Sequence, residues 1–142
     1  VADAAKPLGG WSSSLDVRDE TDCAAIAGDA AMRPGGLAIW VNNAGVLVTG
    51  PSWTHDAATR RRVLEVNALG AMNGTMAALA EMRTAGRGHI INVVSLAGLV
   101  AAPGETVYSA SKHALVAFSI VLATGRAGQR RLARKVAAGR WP

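Results

Sequence analysis

Leu37-Ala38-Ile39-Trp40-Val41 is an unbroken apolar run of strand length, and it leads directly into Asn42-Asn43-Ala44-Gly45. Pro34-Gly35-Gly36 stands just before it. An apolar run bounded by turn residues is the pattern of a parallel strand covered on both faces. The same pattern returns at His89-Ile90-Ile91-Asn92-Val93-Val94, which is rich in β-branched residues and lies between Gly88 and Ser95. Between the two, the spacing predicts a helix from Asp56 to about Arg83, broken or bent near Asn67-Ala68-Leu69-Gly70 and stopped at Gly86-Arg87-Gly88. Strand, helix and strand in this order form a right-handed βαβ unit.

Working outward, Leu15-Asp16-Val17 after Trp11-Ser12-Ser13-Ser14 is expected to be a further short strand. Asp19-Glu20-Thr21-Asp22 then begins a helix through about Ala31, with acids in the first turn where they favour the helix dipole. On the other side, a loop through Pro103-Gly104 leads to a helix from about Thr106 to Ala123. The fold class is therefore α/β. In such sheets ligands bind beyond the carboxyl ends of the strands, and Asp16, Asn42–Gly45 and Ser95 all sit at such ends.

Composition narrows the function. Half of the 142 residues are apolar, as a packed core requires. The formal charge of +5 is uneven. Residues 126–142 hold six of the fifteen Lys/Arg and no acid, whereas the first 125 carry nine Lys/Arg against ten Asp/Glu. The body is near neutral, so no nucleic-acid partner is expected. No uninterrupted apolar stretch approaches the roughly 20 residues of a membrane span, and no secretory pattern is seen at the start. Cys23 is the only cysteine, which suits a reducing cytoplasm. Neither Cys23 nor His55, His89 and His113 has metal-ligand spacing, and no metal site is expected.

The chemistry lies in an ordered set. Tyr108 and Lys112, in Tyr108-Ser109-Ala110-Ser111-Lys112, are four residues apart and share one helix face. A phenol ordinarily titrates near pH 10, and a neighbouring ammonium favours its ionised form. Ser95 precedes Tyr108 by thirteen residues and Asn67 precedes it by forty-one. Alone, Ser95 is a strand-end hydroxyl, Asn67 a helix-bend residue, and Asn-Asn-Ala-Gly a tight turn. Together, in this order and at these distances, they resemble the short-chain dehydrogenase/reductase family from about Leu15 to about Val121.

The resemblance implies a Rossmann-like doubly wound parallel sheet with helices on both faces, NAD or NADP as cofactor, and a catalytic tetrad of Asn67, Ser95, Tyr108 and Lys112. Tyr108 would donate or accept the proton as a secondary alcohol and a ketone interconvert. Lys112 would tune Tyr108 and bind the nicotinamide ribose. Ser95 would hold the substrate oxygen, and the main chain of Asn67 would hold a water leading from Lys112 to solvent. Asp16, Val17, Asn43, Ala44 and Gly45 would line the adenosine side of the cofactor. Ser95 to Pro103 would give an apolar wall, favouring a hydrophobic substrate. Family members dimerise or tetramerise through two long helices, here about 67–85 and 106–123, and the small residues Gly70, Ala71, Gly74, Ala77 and Ala78 are expected to permit that approach.

The family pattern also includes a strand, a T-G-x-x-x-G-x-G turn and a helix before the Asp16 strand, and a buried strand with a Pro-Gly turn after the Tyr–Lys helix. Neither is present in the sequence. The expectation is a partial Rossmann-like domain over 1–125, of low stability in isolation, followed by a basic tail over 126–142 that is out of frame or disordered. A truncated, non-catalytic remnant without cofactor binding stays open as the alternative.

Overall fold

The structure is a computed structural model, and it describes residues 5, 7, 9–124 and 137–138. Helix α1 (Glu20–Met32) starts at Asp19, whose side chain accepts from the Thr21 and Asp22 amides at 2.7 and 3.2 Å. Such a cap stabilises a helix by about 1 kcal/mol. Strand β1 (Ile39–Asn42) follows the turn at Gly35 and Gly36, both of which have positive φ. Helix α2 (Ala57–Leu64) is capped by Asp56, which accepts from Thr59 N at 2.7 Å. A π-helical turn (Glu65–Leu69) joins it to α3 (Gly70–Ala85), so the bend expected near Asn67 is a one-residue expansion of the helix. Left-handed Gly86 ends α3. Strand β2 (His89–Asn92), a 3-10 turn (Leu96–Gly98) and helix α4 (Thr106–Thr124) complete the site-bearing part.

The sheet is parallel, in the order β1-β2-β3, with Ile39 opposite His89 and Asn42 opposite Asn92. Strand β3 is the pair Ala137–Ala138 beside Ile91 and Asn92. These two are the only described residues of the 126–142 segment, and the reading of that tail otherwise lies outside the described residues.

Alternation along β1 separates two environments. Trp40 and Asn42 meet α3, while Ile39 and Val41 are 61% and 52% exposed on the opposite face. Asn92, beside Asn42, bonds Ser119 of α4 on the α3 side. Among the described residues α1 packs on α3, and α3 and α4 meet the strands through Thr75 and Ser119. The core between α3 and the strands is built from Ala78, Met82 and Ile90, with Leu37, Trp40 and Leu79 packed around them.

One expectation changes. Leu15-Asp16-Val17 does not form a strand. Asp19 N closes a turn onto Asp16 O at 3.0 Å, and the Val17 carbonyl is taken by Asn73 Nδ2 and Cys23 Sγ. The segment's polar backbone is thus satisfied by helices rather than by a neighbouring strand. The small residues of α3 also serve the chain itself. Gly70, Ala71, Gly74 and Ala78 are buried. A Cβ on Gly70 would lie 2.6 Å from Val17 Cγ2, and one on Gly74 would lie 2.3 Å from Asn42 Oδ1. They let α3 lie close to β1 and to the 15–17 segment.

Helix α4 is long and apolar enough to cross a membrane by length and composition. Its Val107, Ser111, Lys112, Leu115 and Ser119 face is buried within the fold.

Candidate active site

Helical spacing brings Lys112 under Tyr108, with the ammonium nitrogen 5.7 Å from the ring centroid. Lys112 is only 5% exposed, and Nζ donates to the Val93 carbonyl oxygen at 3.0 Å. Burial draws its pKa below the ordinary 10.5, because a charged amine loses water there. Tyr108 itself is half-buried. The 3-10 turn packs directly on the same helix: a Cβ on Gly98 would stand 2.9 Å from Lys112 O. That turn is capped by Ser95, whose Oγ accepts from Ala97 N at 3.2 Å. Ser95 is therefore fixed beside α4, although among the described residues its hydroxyl and that of Tyr108 do not bond each other.

Asn67 is fully buried in the π turn. Its Oδ1 accepts from Val46 N at 2.7 Å, and its Nδ2 donates to Val46 O at 2.9 Å and to Ser111 Oγ at 3.0 Å. One side chain thus clamps the end of the Asn-Asn-Ala-Gly turn and joins it to α4. Gly45 lies in the same place. A Cβ there would be 3.4 Å from Asn67 Oδ1 and 3.7 Å from Lys112 Nζ.

The remaining predicted residues divide. Val17, Asn43 and Ala44 line one cavity of about 220 Å³, with Leu15, Trp40 and Gly74 among its other walls. Buried Cys23 also lines it, and desolvation raises its thiol pKa. Asp16 faces elsewhere. Its carboxylate takes Arg18 Nη2 at 2.6 Å and Arg18 Nε at 2.9 Å, and that guanidinium lowers its pKa to about 2. Asp16 lines a separate open polar depression with Arg18, Glu65 and Asn73.

A buried network escaped the sequence reading. Asn42 Nδ2 donates to Thr75 Oγ1 at 2.9 Å and to Asn92 Oδ1 at 2.7 Å, and Asn92 Nδ2 donates to Ser119 Oγ at 2.9 Å. Trp40 Nε1 completes it on Asn42 Oδ1 at 2.7 Å. The available signal was an asparagine at the same register position in each apolar strand. Buried amides at such positions need partners, and here they find each other across the sheet.

The family model for short chain dehydrogenases matches residues 8–131. The chain belongs to the short-chain dehydrogenase family. It is 37% identical over 119 residues to the inactive 2-(S)-hydroxypropyl-CoM dehydrogenase 2 of Xanthobacter autotrophicus, covering 84% of this chain and 52% of that one. To an uncharacterized NAD-dependent oxidoreductase of Mycobacterium tuberculosis it is 41% identical over 110 residues, covering 77% and 40%. The solved structure of ElxO with NADP bound superposes with a TM-score of 0.74 at 28% identity, covering 78% of this short-chain dehydrogenase chain and 45% of ElxO. The chain spans about half the length of these relatives, or somewhat less.

Proposed function

We propose that this chain carries the proton-transfer site of an NAD(P)-dependent oxidoreductase that interconverts a secondary alcohol and a ketone. The observation that carries the reading is the placement of Lys112, a buried amine anchored at the end of β2 and 5.7 Å from the Tyr108 ring. Relatives that are NAD-dependent or hold NADP make a nicotinamide nucleotide the cofactor class.

The residues fit that class. Lys112 has three N–H donors, of which Val93 O takes one. Gly45 keeps the space beside Nζ free of a side chain. Val17, Asn43 and Ala44 line an adjoining cavity suited to the adenosine side. When bound, the cofactor supplies or takes up the hydride. Tyr108 gives its proton to the developing alkoxide in reduction and takes the alcohol proton in oxidation. The Lys112 ammonium stabilises negative charge on the phenol oxygen as that proton leaves. Ser95 donates to the substrate oxygen, and the Asn67 main chain supports a water between Lys112 and solvent. Asp16, committed to Arg18, would reach the cofactor only by giving up that pair. Leu96, Leu99 and Val100 are 71%, 61% and 49% exposed and supply an apolar wall for a hydrophobic substrate. A cytoplasmic homo-oligomer completes the proposal, with exposed Leu69, Met76, Ile120 and Val121 as its contact surface.

The second reading is a non-catalytic chain, favoured by the relative named inactive. Titration with NADH and NADPH, followed through tryptophan fluorescence, separates the two. Trp40 lines the cavity, so saturable quenching supports the first reading. A flat titration supports the second.

A further inference from the structure

Ser111 has two partners, and both belong to the site. Its Oγ accepts from Asn67 Nδ2 at 3.0 Å and donates to the Tyr108 carbonyl oxygen at 2.6 Å. Ser111 and Asn67 are both fully buried, so the bond between them is shielded from water. Asn67 in turn holds both backbone polar groups of Val46. A continuous chain of bonds therefore runs from the end of the Asn-Asn-Ala-Gly turn, through the π turn, to the first turn of α4. The bond to the Tyr108 carbonyl alone would be ordinary back-bonding of a helical serine. The Asn67 bond is different, because it crosses forty-four residues of sequence and reaches the loop beside Lys112 Nζ.

We infer that Ser111 is a positioning residue, whose hydroxyl couples the 43–46 loop and the Asn67 turn to Tyr108 and Lys112 so that they keep one mutual geometry. The inference rests on the proposed oxidoreductase reading for its functional meaning. Without the hydroxyl, Asn67 keeps only Val46 as partner, and its carboxamide can turn away from α4. The Val46 amide then loses a well-aligned acceptor.

Amide hydrogen exchange on ¹⁵N-labelled chain tests this in wild type, Ser111→Ala, Ser111→Thr and Tyr108→Phe. Ser111→Ala should speed Val46 exchange about tenfold relative to Ile91 in β2. Ser111→Thr, which keeps the hydroxyl, and Tyr108→Phe, which keeps the carbonyl, should retain wild-type protection. Turnover gives the second readout: Ser111→Ala should lower kcat about tenfold or more with little change in the cofactor KM. Val46 exchange that changes only in step with Ile91, or that rises equally in Ser111→Thr, overturns the inference. So does unchanged kcat in Ser111→Ala when Tyr108→Phe is inactive. Turnover that survives Tyr108→Phe instead overturns the oxidoreductase reading, and the exchange result still decides whether Ser111 makes the tie.

Discussion

Lys112 Nζ donates to the carbonyl oxygen of Val93 at 3.0 Å, binding the helix that carries Tyr108 to the carboxyl end of β2. The amine is desolvated there, so its pKa in the folded chain lies below the 10.5 it regains on unfolding. Between those two values the unfolded chain holds more protons, and stability rises with pH. Wild type should therefore gain stability relative to Lys112→Met as pH climbs through the window below about 10.5. Below the folded pKa the difference should be level. Urea unfolding of both chains from pH 7 upward checks this, and a difference constant across the whole range would contradict it.

Gly74 faces the hydrogen-bonded pair of Trp40 and Asn42, and a Cβ would come within 3.0 Å of Trp40 Nε1 and 2.3 Å of Asn42 Oδ1. Asn42 cannot simply swing aside, because its Nδ2 is held by Thr75 and Asn92. Overpacking of this kind costs about 1–3 kcal/mol, while Gly→Ala inside a helix returns about 1 kcal/mol. Gly74→Ala should be net destabilising, by up to about 2 kcal/mol. Its midpoint in urea measures this, and a midpoint equal to or above wild type would show that α3 has room to spare.

At Asp16 the sign is reversed. The Arg18 guanidinium holds the carboxyl at about 2, below its ordinary 3.8. The stabilisation from this pair is fully present above 3.8 and is lost as pH falls through about 2. Both side chains are about half exposed, so the effect on stability is small. The titration itself is the better observable. Carboxyl ¹³C shifts should place Asp16 near 2 in wild type and move it toward 3.8 in Arg18→Ala. The same midpoint in both chains would remove Arg18 as the cause.

Much of this fold was legible because short-range rules agreed with one another. The two apolar runs, the helix starts at Asp19 and Asp56 and the helix bend at Asn67 each had a local signal, and the structure contains β1, β2, α1, α2 and the π turn where those signals stood. Tyr108 and Lys112 meet because four residues make one helical turn. What the sequence did not reveal depends on contacts across long separations. Asn42 with Asn92, and Asn67 with Ser111, are joined only once the sheet has paired and α4 has docked. The 15–17 segment shows the converse. It reads as a strand by composition, yet Asn73 and Cys23 take its backbone carbonyl before any strand does. Gly70 and Gly74 are a related case, since small residues mark close approach without saying to what, and Val17 and Asn42 are the groups that lie against them.

The most direct test of the account uses Tyr108, the only tyrosine in the chain. Hydride transfer between NADH or NADPH and a hydrophobic ketone should be measured for wild type and Tyr108→Phe, with cofactor affinity measured alongside. The account predicts turnover reduced at least a hundredfold, in keeping with loss of a general acid–base group, and cofactor binding left nearly intact. Turnover unchanged by Tyr108→Phe would contradict it.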